Sequence, residues 1–290
     1  MIKREDYKPY NYIENYSTKN EPLPNRYPDM YSVYKHFSEA FDLPMDNFIL
    51  TNGCENALRI VLLACKIKEL SIEYPSWGLV EIIANSLSIK TEHLPLIYTD
   101  FRCATGIAKR LDYDYSKVKY NNVYTTQCAN NFAAHLNYDS PILRDGIIIT
   151  DETYYPLRLS YGGAEEVLDD KKIIIGSFSK IADPGLRLGY IIYRKKYNER
   201  FQMLREQYLS QNACEYIANL EKKEIKRIKK FTDINTSLVT DDGFKTSWYI
   251  TKDKKMDTNL PYKEFSVKVL DNENPDVTTK TYYRYGIIPK

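Results

Sequence analysis

The sequence has little of what builds metal centres, disulfide frameworks and membrane spans. Its 290 residues include only three histidines, which are scattered, and five cysteines, an odd number with no C-x-x-C pair. This pattern argues against a zinc site and a set of disulfides, and it favours a reducing compartment. The longest apolar runs, such as IVLLAC at 60–65, are far shorter than the ~20 residues that cross a bilayer.

A strong charge of either sign is also missing. The formal net charge is +2 at pH 7, so bulk electrostatics draw the chain neither to nucleic acid nor to a membrane. The opening stretch MIKREDYKPYNY has no apolar core of the kind that a secretory signal requires. We therefore expect a cytoplasmic protein that binds neither nucleic acid nor membranes.

Short apolar runs alternate with helical stretches between about residues 31 and 193. The stretch ENALRIVLLACKI at 55–67 has the periodicity of a helix, with Glu55 in the first turn, where it complements the helix dipole. Several apolar runs are β-branched on both faces, as strands inside a parallel sheet are. This alternation predicts an α/β domain with helices covering a mostly parallel sheet. The runs lie at 47–51, 70–73, 87–92, 121–126, 145–150, 171–176 and 188–193.

The two ends of the chain have a different character. Residues 1–30 are polar and lack periodicity, which predicts an extended N-terminal arm. Residues 194–231 predict one or two charged amphipathic helices, and the remainder predicts a few strands and turns. We therefore predict three parts: the arm (1–30), a large domain (31–195) and a small C-terminal domain (196–290).

Three of the predicted strands end in polar residues that suit one ligand. Asp151 follows the run at 145–150, Lys180 follows the run at 171–176, and an Asn pair at 130–131 follows the run at 121–126. Ligands of open α/β sheets bind outside the carboxyl ends of the strands, so these side chains are expected to converge. Each alone has an ordinary explanation, because Asp often caps helices and Asn pairs often form turns. The occurrence of all three at the same edge requires a single explanation.

The residue types match pyridoxal 5'-phosphate (PLP). A lysine amine forms a Schiff base with an aldehyde, and a buried carboxylate keeps a pyridine ring protonated. Hydroxyls, an arginine and the backbone amides of a helix N-terminus bind phosphate. The stretch TNGCENAL at 51–58 predicts such a helix start after Gly53. Although the chain has only 11 glycines, Gly185 and Gly189 flank Arg187, which predicts a tight turn and a close approach of the backbone to the sheet.

The motifs SFSK, PGLRLGY and, upstream, DETYY resemble those of the fold-type I PLP-dependent aminotransferases of class I/II. Within them the chain is most similar to the histidinol-phosphate aminotransferase and threonine-phosphate decarboxylase neighbourhood, from about residue 25 to residue 287. The resemblance implies PLP as the cofactor. It also implies a three-layer large domain around a mostly parallel sheet, with a reduced small C-terminal α+β domain.

The resemblance assigns roles to the matching residues. Lys180 would bind PLP as a Schiff base, and Asp151 would pair with its pyridine nitrogen. Tyr154 and Asn131 would hydrogen-bond the phenolic oxygen, and Trp77 would stack on the ring. Lys180, Asp151 and Tyr154 would be the catalytic residues. The phosphate would be held by hydroxyl, guanidinium and backbone groups of Ser177, Ser179, Arg187, Gly53, Cys54 and Glu55.

Two further positions concern the partner subunit and the substrate. Tyr27, in RYPD, would reach the phosphate of a neighbouring subunit, which implies a homodimer with shared sites. Arg284, in YYRYGI, would bind the α-carboxylate of the substrate through two parallel hydrogen bonds. A phosphorylated substrate would have arginines to bind at Arg102, Arg110 or Arg158, although ordinary surface positions explain these three more simply.

The sequence also departs from the family pattern. NNFAAH stands where the family continues its asparagine with Pro-Thr-Gly, and the spacing from Lys180 to Arg187 is one residue shorter than in the histidinol-phosphate enzymes. The chain is also shorter than a typical member, mostly in the C-terminal domain and the arm. Because that domain supplies substrate contacts, the resemblance leaves the substrate open.

The predicted function is that of an aminotransferase in amino acid metabolism, which moves an amino group between an amino acid and a keto acid or other carbonyl substrate. The amine of Lys180 would act as general base and acid at the substrate. The same residues would serve an amino acid or phospho-amino acid decarboxylase, which is the alternative. A PLP-binding regulator is disfavoured, because residues 1–30 leave no room for a helix-turn-helix.

Overall fold

The computed structural model describes residues 28–74, 77–94, 96–103, 106–113, 115, 118–126, 146–153, 156, 159–160, 170–237, 239–240, 243–244, 248–251, 262–270 and 277–286. Its helices are α1 (Met30–Phe41), α2 (Cys54–Ala64), α3 (Leu79–Ser86), α4 (Asn198–Leu204), α5 (Gln211–Ala218) and α6 (Lys222–Ser237). Its strands are β1 (Phe48–Thr51), β2 (Glu69–Glu73), β3 (Lys90–Leu94), β4 (Leu96–Cys103), β5 (Gly106–Tyr113), β6 (Val123–Thr126), β7 (Ile148–Asp151), β8 (Lys172–Ser177), β9 (Gly189–Ile192), β10 (Val239–Thr240), β11 (Gly243–Phe244), β12 (Trp248–Thr251), β13 (Tyr262–Leu270) and β14 (Val277–Gly286).

A seven-stranded sheet lies at the centre of the described structure. Its strand order is β1-β9-β8-β7-β6-β2-β3. The pairs β8–β7, β7–β6, β6–β2 and β2–β3 are parallel, and β9 is antiparallel to both of its neighbours. The seven apolar runs singled out in the sequence form these seven strands, so the predicted mostly parallel sheet is confirmed.

Helices cover both faces of this sheet and give three layers. Apolar residues of α2, α3 and α4 pack on one face, and those of α1, α5 and α6 pack on the other. Leu58 of α2 and Phe37 of α1 are fully buried on opposite faces. Burial of one such side chain contributes about 1.5–3 kcal/mol. No helix in the described part of the chain is long and apolar enough to cross a membrane.

The charged stretch after the sheet differs from its prediction. It forms three helices, α4, α5 and α6, where the sequence predicted one or two. The chain is extended at Arg205, which ends α4, and Ser210 then caps α5 by accepting a hydrogen bond from the Ala213 amide at 3.2 Å. A local backbone break and a capping serine therefore divide a run whose charge pattern looks continuous.

A second sheet combines strands from distant parts of the sequence. Its order is β12-β14-β13-β4-β5, and β13 pairs in parallel with β4, where Val269 lies opposite Leu96. The hairpin β4–β5 was not predicted, because charged residues such as Asp100 and Arg102 interrupt its apolar positions. The boundary between residues 195 and 196 stays a prediction, and strands from both sides of it meet in this sheet.

The first described helix begins close to the end of the predicted arm. The Asp29 carboxylate caps α1, accepting hydrogen bonds from the Tyr31 amide at 3.1 Å and the Ser32 hydroxyl at 2.6 Å. These bonds, chiefly the one from Ser32, hold the pKa of Asp29 below its usual value. Most of the predicted arm, residues 1–27, lies outside the described residues.

Candidate active site

The register of three neighbouring strands brings distant polar segments to one edge of the central sheet. Ser177, the last residue of β8, pairs with Gly189, the first residue of β9. Gly189 in turn pairs with Thr51, the last residue of β1. The turn after β1, the loop after β8 and the start of β9 therefore lie side by side, at the edge where ligands of such sheets bind.

The Arg187 guanidinium lies against the backbone turn that precedes α2. Gly53 is the N-cap of α2 and has a φ of 89°, a conformation that favours glycine. A Cβ atom at Gly53 would lie 3.2 Å from Nη2 of Arg187, which shows how closely the guanidinium approaches. A cation and the amides of a helix N-terminus therefore face the same space, which is the arrangement of an anion site. We call this part of the site, formed by Gly53, Ser177 and Arg187, the Arg187 end.

Gly189 fits the prediction of a close backbone approach, whereas the turn itself is made differently. A Cβ at Gly189 would lie 2.6 Å from the carbonyl carbon of Gly53 and 2.7 Å from Oγ1 of Thr51, so this position has no room for a side chain. The left-handed residue of the loop is Arg187 itself, with a φ of 51°, and not Gly185. A non-glycine residue in this conformation costs roughly 1–2 kcal/mol, which the surrounding structure must offset.

The loop after β8 presents the predicted lysine to solvent. Ser177 is buried and its hydroxyl donates to the Leu188 carbonyl at 3.3 Å and accepts from the Ser179 amide at 3.1 Å. The Phe178 amide donates to the same Leu188 carbonyl at 2.9 Å. Lys180 follows in the turn and is exposed. The two serine positions therefore anchor the loop that carries Lys180.

Asp151 lies buried at the carboxyl end of β7 and accepts hydrogen bonds at both oxygens. Oδ1 accepts from the Thr153 amide at 2.8 Å, and Oδ2 accepts from the Tyr124 hydroxyl, also at 2.8 Å. The Cys54 thiol, at the start of α2, lies 3.7 Å from the same Oδ2. Burial and the charge of Asp151 raise the pKa values of Tyr124 and Cys54, so both keep their protons and donate. We call Cys54, Tyr124 and Asp151 the Asp151 end.

The structure places the other predicted residues to different extents. Glu55 is in the first turn of α2, and its carboxylate lies 3.2 Å from the guanidinium of Arg59. Trp77 packs against the same core face as Cys54, just before α3. Arg284 lies in β14 of the second sheet, where its backbone pairs with Ile250 and Lys263. Arg102 and Arg110 lie in β4 and β5, and the residues outside the described part are Tyr27, Asn131, Tyr154 and Arg158.

Sequence reasoning missed three polar residues of this region. Tyr124 carries no local signal, because a tyrosine inside an apolar strand looks like a core residue. Glu206 accepts a hydrogen bond from the Asn52 amide at 2.5 Å and another from the Asn56 side chain, on either side of the Gly53 turn. Glu73 is buried at the end of β2 and accepts from Thr125 and Thr126 of β6 and from Tyr115. All three act through partners far away in sequence.

Sequence comparison finds one curated relative, and no family model matches. The histidinol-phosphate aminotransferase of Hydrogenobaculum sp. (strain Y04AAS1) is 25% identical over 223 residues, which cover 72% of this chain and 62% of that protein. The chain thus spans less than two thirds of the length of this relative.

Several solved structures resemble the chain over much of its length. The histidinol-phosphate aminotransferase of Clostridium acetobutylicum has a TM-score of 0.61 at 16% identity and covers 92% of this chain and 86% of its own. The L-threonine-O-3-phosphate decarboxylase of Porphyromonas gingivalis has a TM-score of 0.59 at 15% identity, covering 91% and 87%. The Sinorhizobium meliloti histidinol-phosphate aminotransferase, solved with pyridoxal-5'-phosphate, has a TM-score of 0.52 at 15% identity, covering 73% and 60%. The chain therefore has the fold of the fold-type I PLP-dependent transferases, as its motifs predicted.

Proposed function

We propose that the chain is a PLP-dependent aminotransferase that moves an amino group between an amino acid and a carbonyl substrate. One observation carries the proposal. The two-residue turn Gly53–Cys54 touches the Arg187 guanidinium on one side and the Asp151 carboxylate on the other. A site with a cation and helix amides at one end and a buried anion at the other suits a ligand that joins a phosphate to a basic ring.

The residues at the Arg187 end suit the phosphate of PLP. Arg187 supplies a forked cation, and the amides at the start of α2 supply further donors. A side chain at Gly53 would fill the space beside the guanidinium, so the glycine keeps that cradle open. In this proposal Ser179 and the backbone of Gly53 and its successors in α2 complete the cradle, and the Ser177 hydroxyl would turn its proton from the Leu188 carbonyl to the phosphate.

The residues at the Asp151 end suit the pyridine ring. Asp151 would pair with the ring nitrogen, Trp77 would stack on the ring, and Tyr154 and Asn131 would bind its phenolic oxygen. When bound, PLP supplies an electron sink that stabilises negative charge on the substrate's α-carbon. Lys180 would hold the cofactor's aldehyde carbon as a Schiff base, and its amine, once released, would take the proton from the substrate's α-carbon.

The remaining features of the proposal rest on the family resemblance. Arg284 would bind the substrate carboxylate, and Tyr27 would reach the site of a neighbouring subunit in a cytoplasmic homodimer. The chain would divide into the arm (1–30), the large domain (31–195) and the small domain (196–290). The likeness to aminotransferases in sequence and in structure supports amino acid metabolism as the setting.

The test is transfer of labelled nitrogen. The PLP-loaded protein is incubated with 2-oxoglutarate and a panel of ¹⁵N-labelled amines that includes histidinol phosphate, common amino acids and O-phosphothreonine, and labelled glutamate is measured by mass spectrometry. We expect labelled glutamate from at least one donor, and none with Lys180→Ala. Release of carbon dioxide without labelled glutamate would replace the aminotransferase with the decarboxylase. Neither product, across the panel, would contradict both.

A further inference from the structure

The side chain of Tyr124 reaches along the sheet to the candidate ring-binding carboxylate. Tyr124 is fully buried in β6 and belongs to the same core face as Cys54. In the pairing of β6 with β7, Tyr124 lies opposite Ile149, and Thr126 lies opposite Asp151. Asp151 is two positions further along β7 than the residue opposite Tyr124. The Tyr124 side chain spans this offset, and its hydroxyl donates to Oδ2 of Asp151 at 2.8 Å.

The hydrogen bonds at Asp151 leave little rotational freedom. An ionised carboxylate has about four positions for hydrogen-bond donors. The Thr153 amide occupies one at Oδ1, the Tyr124 hydroxyl occupies one at Oδ2, and the Cys54 thiol approaches Oδ2 as a weak donor. Since both oxygens are held, the direction of the remaining acceptor position is fixed before any ligand arrives.

We propose that Tyr124 is a positioning residue, which orients the Asp151 carboxylate toward the ring nitrogen of the bound cofactor. This inference rests on the proposed function. Tyr124 contacts the Asp151 carboxylate, and its effect on the cofactor would pass through that carboxylate, so its contribution is directional. It determines how well the protein distinguishes a ring that has a nitrogen from one that has none.

Tyr190 provides a matched control for removal of a buried phenol hydroxyl. It is fully buried in β9, and its ring packs on the opposite core face, against Phe178. Its hydroxyl has no hydrogen-bond partner within the described residues. Tyr190→Phe therefore makes the same chemical change in a comparable environment without removing a donor from Asp151.

The experiment compares two ligands of the same shape. Dissociation constants are measured by fluorescence titration of the apoprotein with PLP and with 1-deaza-PLP, in which a C–H group replaces the ring nitrogen. The wild type is expected to bind PLP more tightly than the analogue. Tyr124→Phe is expected to lose about tenfold of this preference, the usual contribution of a hydrogen bond to a charged group, and Tyr190→Phe is expected to keep it.

Each other outcome overturns the inference in a recognisable way. Equal weakening of both ligands by Tyr124→Phe would mean that the hydroxyl supports packing alone. If the wild type binds PLP no more tightly than the analogue, Asp151 does not interact with the ring nitrogen, and the inference fails. A wild type that binds neither ligand would contradict the proposed function itself.

A second variant keeps the inference testable if Tyr124→Phe does not fold. Cys54→Ala removes the other contact to Oδ2, and a thiol is a weak donor. If Tyr124 is the group that orients the carboxylate, Cys54→Ala loses less than about threefold of the preference, well below the effect of a full hydrogen bond. A tenfold loss would assign the orientation to Cys54 and overturn the role of Tyr124.

Discussion

The Arg187 end and the Asp151 end of the candidate site are built by different means. At the Arg187 end an exposed side chain is placed by the backbone, through the positive φ angles of Gly53 and Arg187 and the close contact at Gly189. At the Asp151 end a buried carboxylate is placed by side chains and one amide. The Arg187 end is thus sensitive to side chains that crowd the backbone, and the Asp151 end is sensitive to the loss of single polar atoms.

The difference follows from the charge that each end must hold. An exposed cation is stabilised by water, so Arg187 needs no protein partner until an anion binds. The Asp151 carboxylate, with 6% exposure, has lost most of its water, so its oxygens require hydrogen bonds from the protein. A cofactor that bridges the two ends would use the solvated end for attachment and the buried end for chemistry.

The largest effect is expected at the Asp151 end, from Asp151→Asn. It keeps the shape of the side chain but removes the charge that, in the proposed function, would hold a proton on the cofactor ring. We expect the rate of amino transfer to fall by about 10²–10³-fold, as when a preorganised electrostatic contact is lost. PLP should still bind through the Arg187 end. The exposed Asp170, paired with Arg194 at 2.6 Å, gives the control Asp170→Asn, and equal rates in the two variants would contradict the comparison.

Arg187→Ala tests the Arg187 end. It is expected to change the affinity for PLP and not the turnover rate. Charge-assisted hydrogen bonds contribute about 1.5–3 kcal/mol each, so PLP should bind roughly 10- to 100-fold more weakly. At saturating PLP the turnover rate should recover most of its value. A titration of activity against PLP concentration measures both quantities, and a turnover defect that PLP does not relieve would show that the two ends are not separate.

Gly189→Ala tests whether the close backbone packing at Gly189 is needed to form the Arg187 end. The added Cβ would lie 2.6 Å from the Gly53 carbonyl carbon, so the strands must shift, and we expect a loss of about 1–3 kcal/mol in unfolding free energy. Gly78→Ala is the control, because a Cβ there meets nothing within 4 Å. Denaturant unfolding of the two apoproteins measures the difference in unfolding free energy. Similar stabilities would show that the close contact at Gly189 is not required.

The smallest effect is expected from Glu206→Ala, which releases the turn without touching its glycine. Glu206 holds the Asn52 amide and the Asn56 side chain across the Gly53 turn. Loss of these bonds, worth about 1 kcal/mol net, should weaken PLP binding by roughly fivefold. Glu199→Ala, at an exposed position on α4, should leave the affinity unchanged. An unchanged affinity in Glu206→Ala would mean that the glycine alone sets the turn.

Much of the Arg187 end could be predicted from the sequence, because Ser177 and Arg187 lie in one segment and Gly53 precedes a helix that has a local pattern of its own. The strand, the loop with Lys180 and the return strand form one segment, and Gly189 marks a close approach. The central sheet was predictable for a similar reason, since each strand is a short apolar run. Local patterns thus determine this end and the strands that support it.

The partners at the Asp151 end could not be predicted in this way. Asp151 was visible as a carboxylate after a strand, but Tyr124 is 27 residues away and resembles any core tyrosine. Two contacts outside this end are also long-range: Glu206, beside the Gly53 turn, is 154 residues from Asn52, and β4 pairs with β13 near the end of the chain. These contacts depend on strand order and on packing, which no local pattern contains.

The central claim is that this edge of the sheet binds PLP through Lys180. The most direct measurement is reduction of the PLP-loaded protein with sodium borohydride, which makes a Schiff base permanent, followed by peptide mass spectrometry. The account predicts a single phosphopyridoxyl group, on Lys180, and its absence from Lys180→Ala. A label on another lysine, or no label at all, would contradict it.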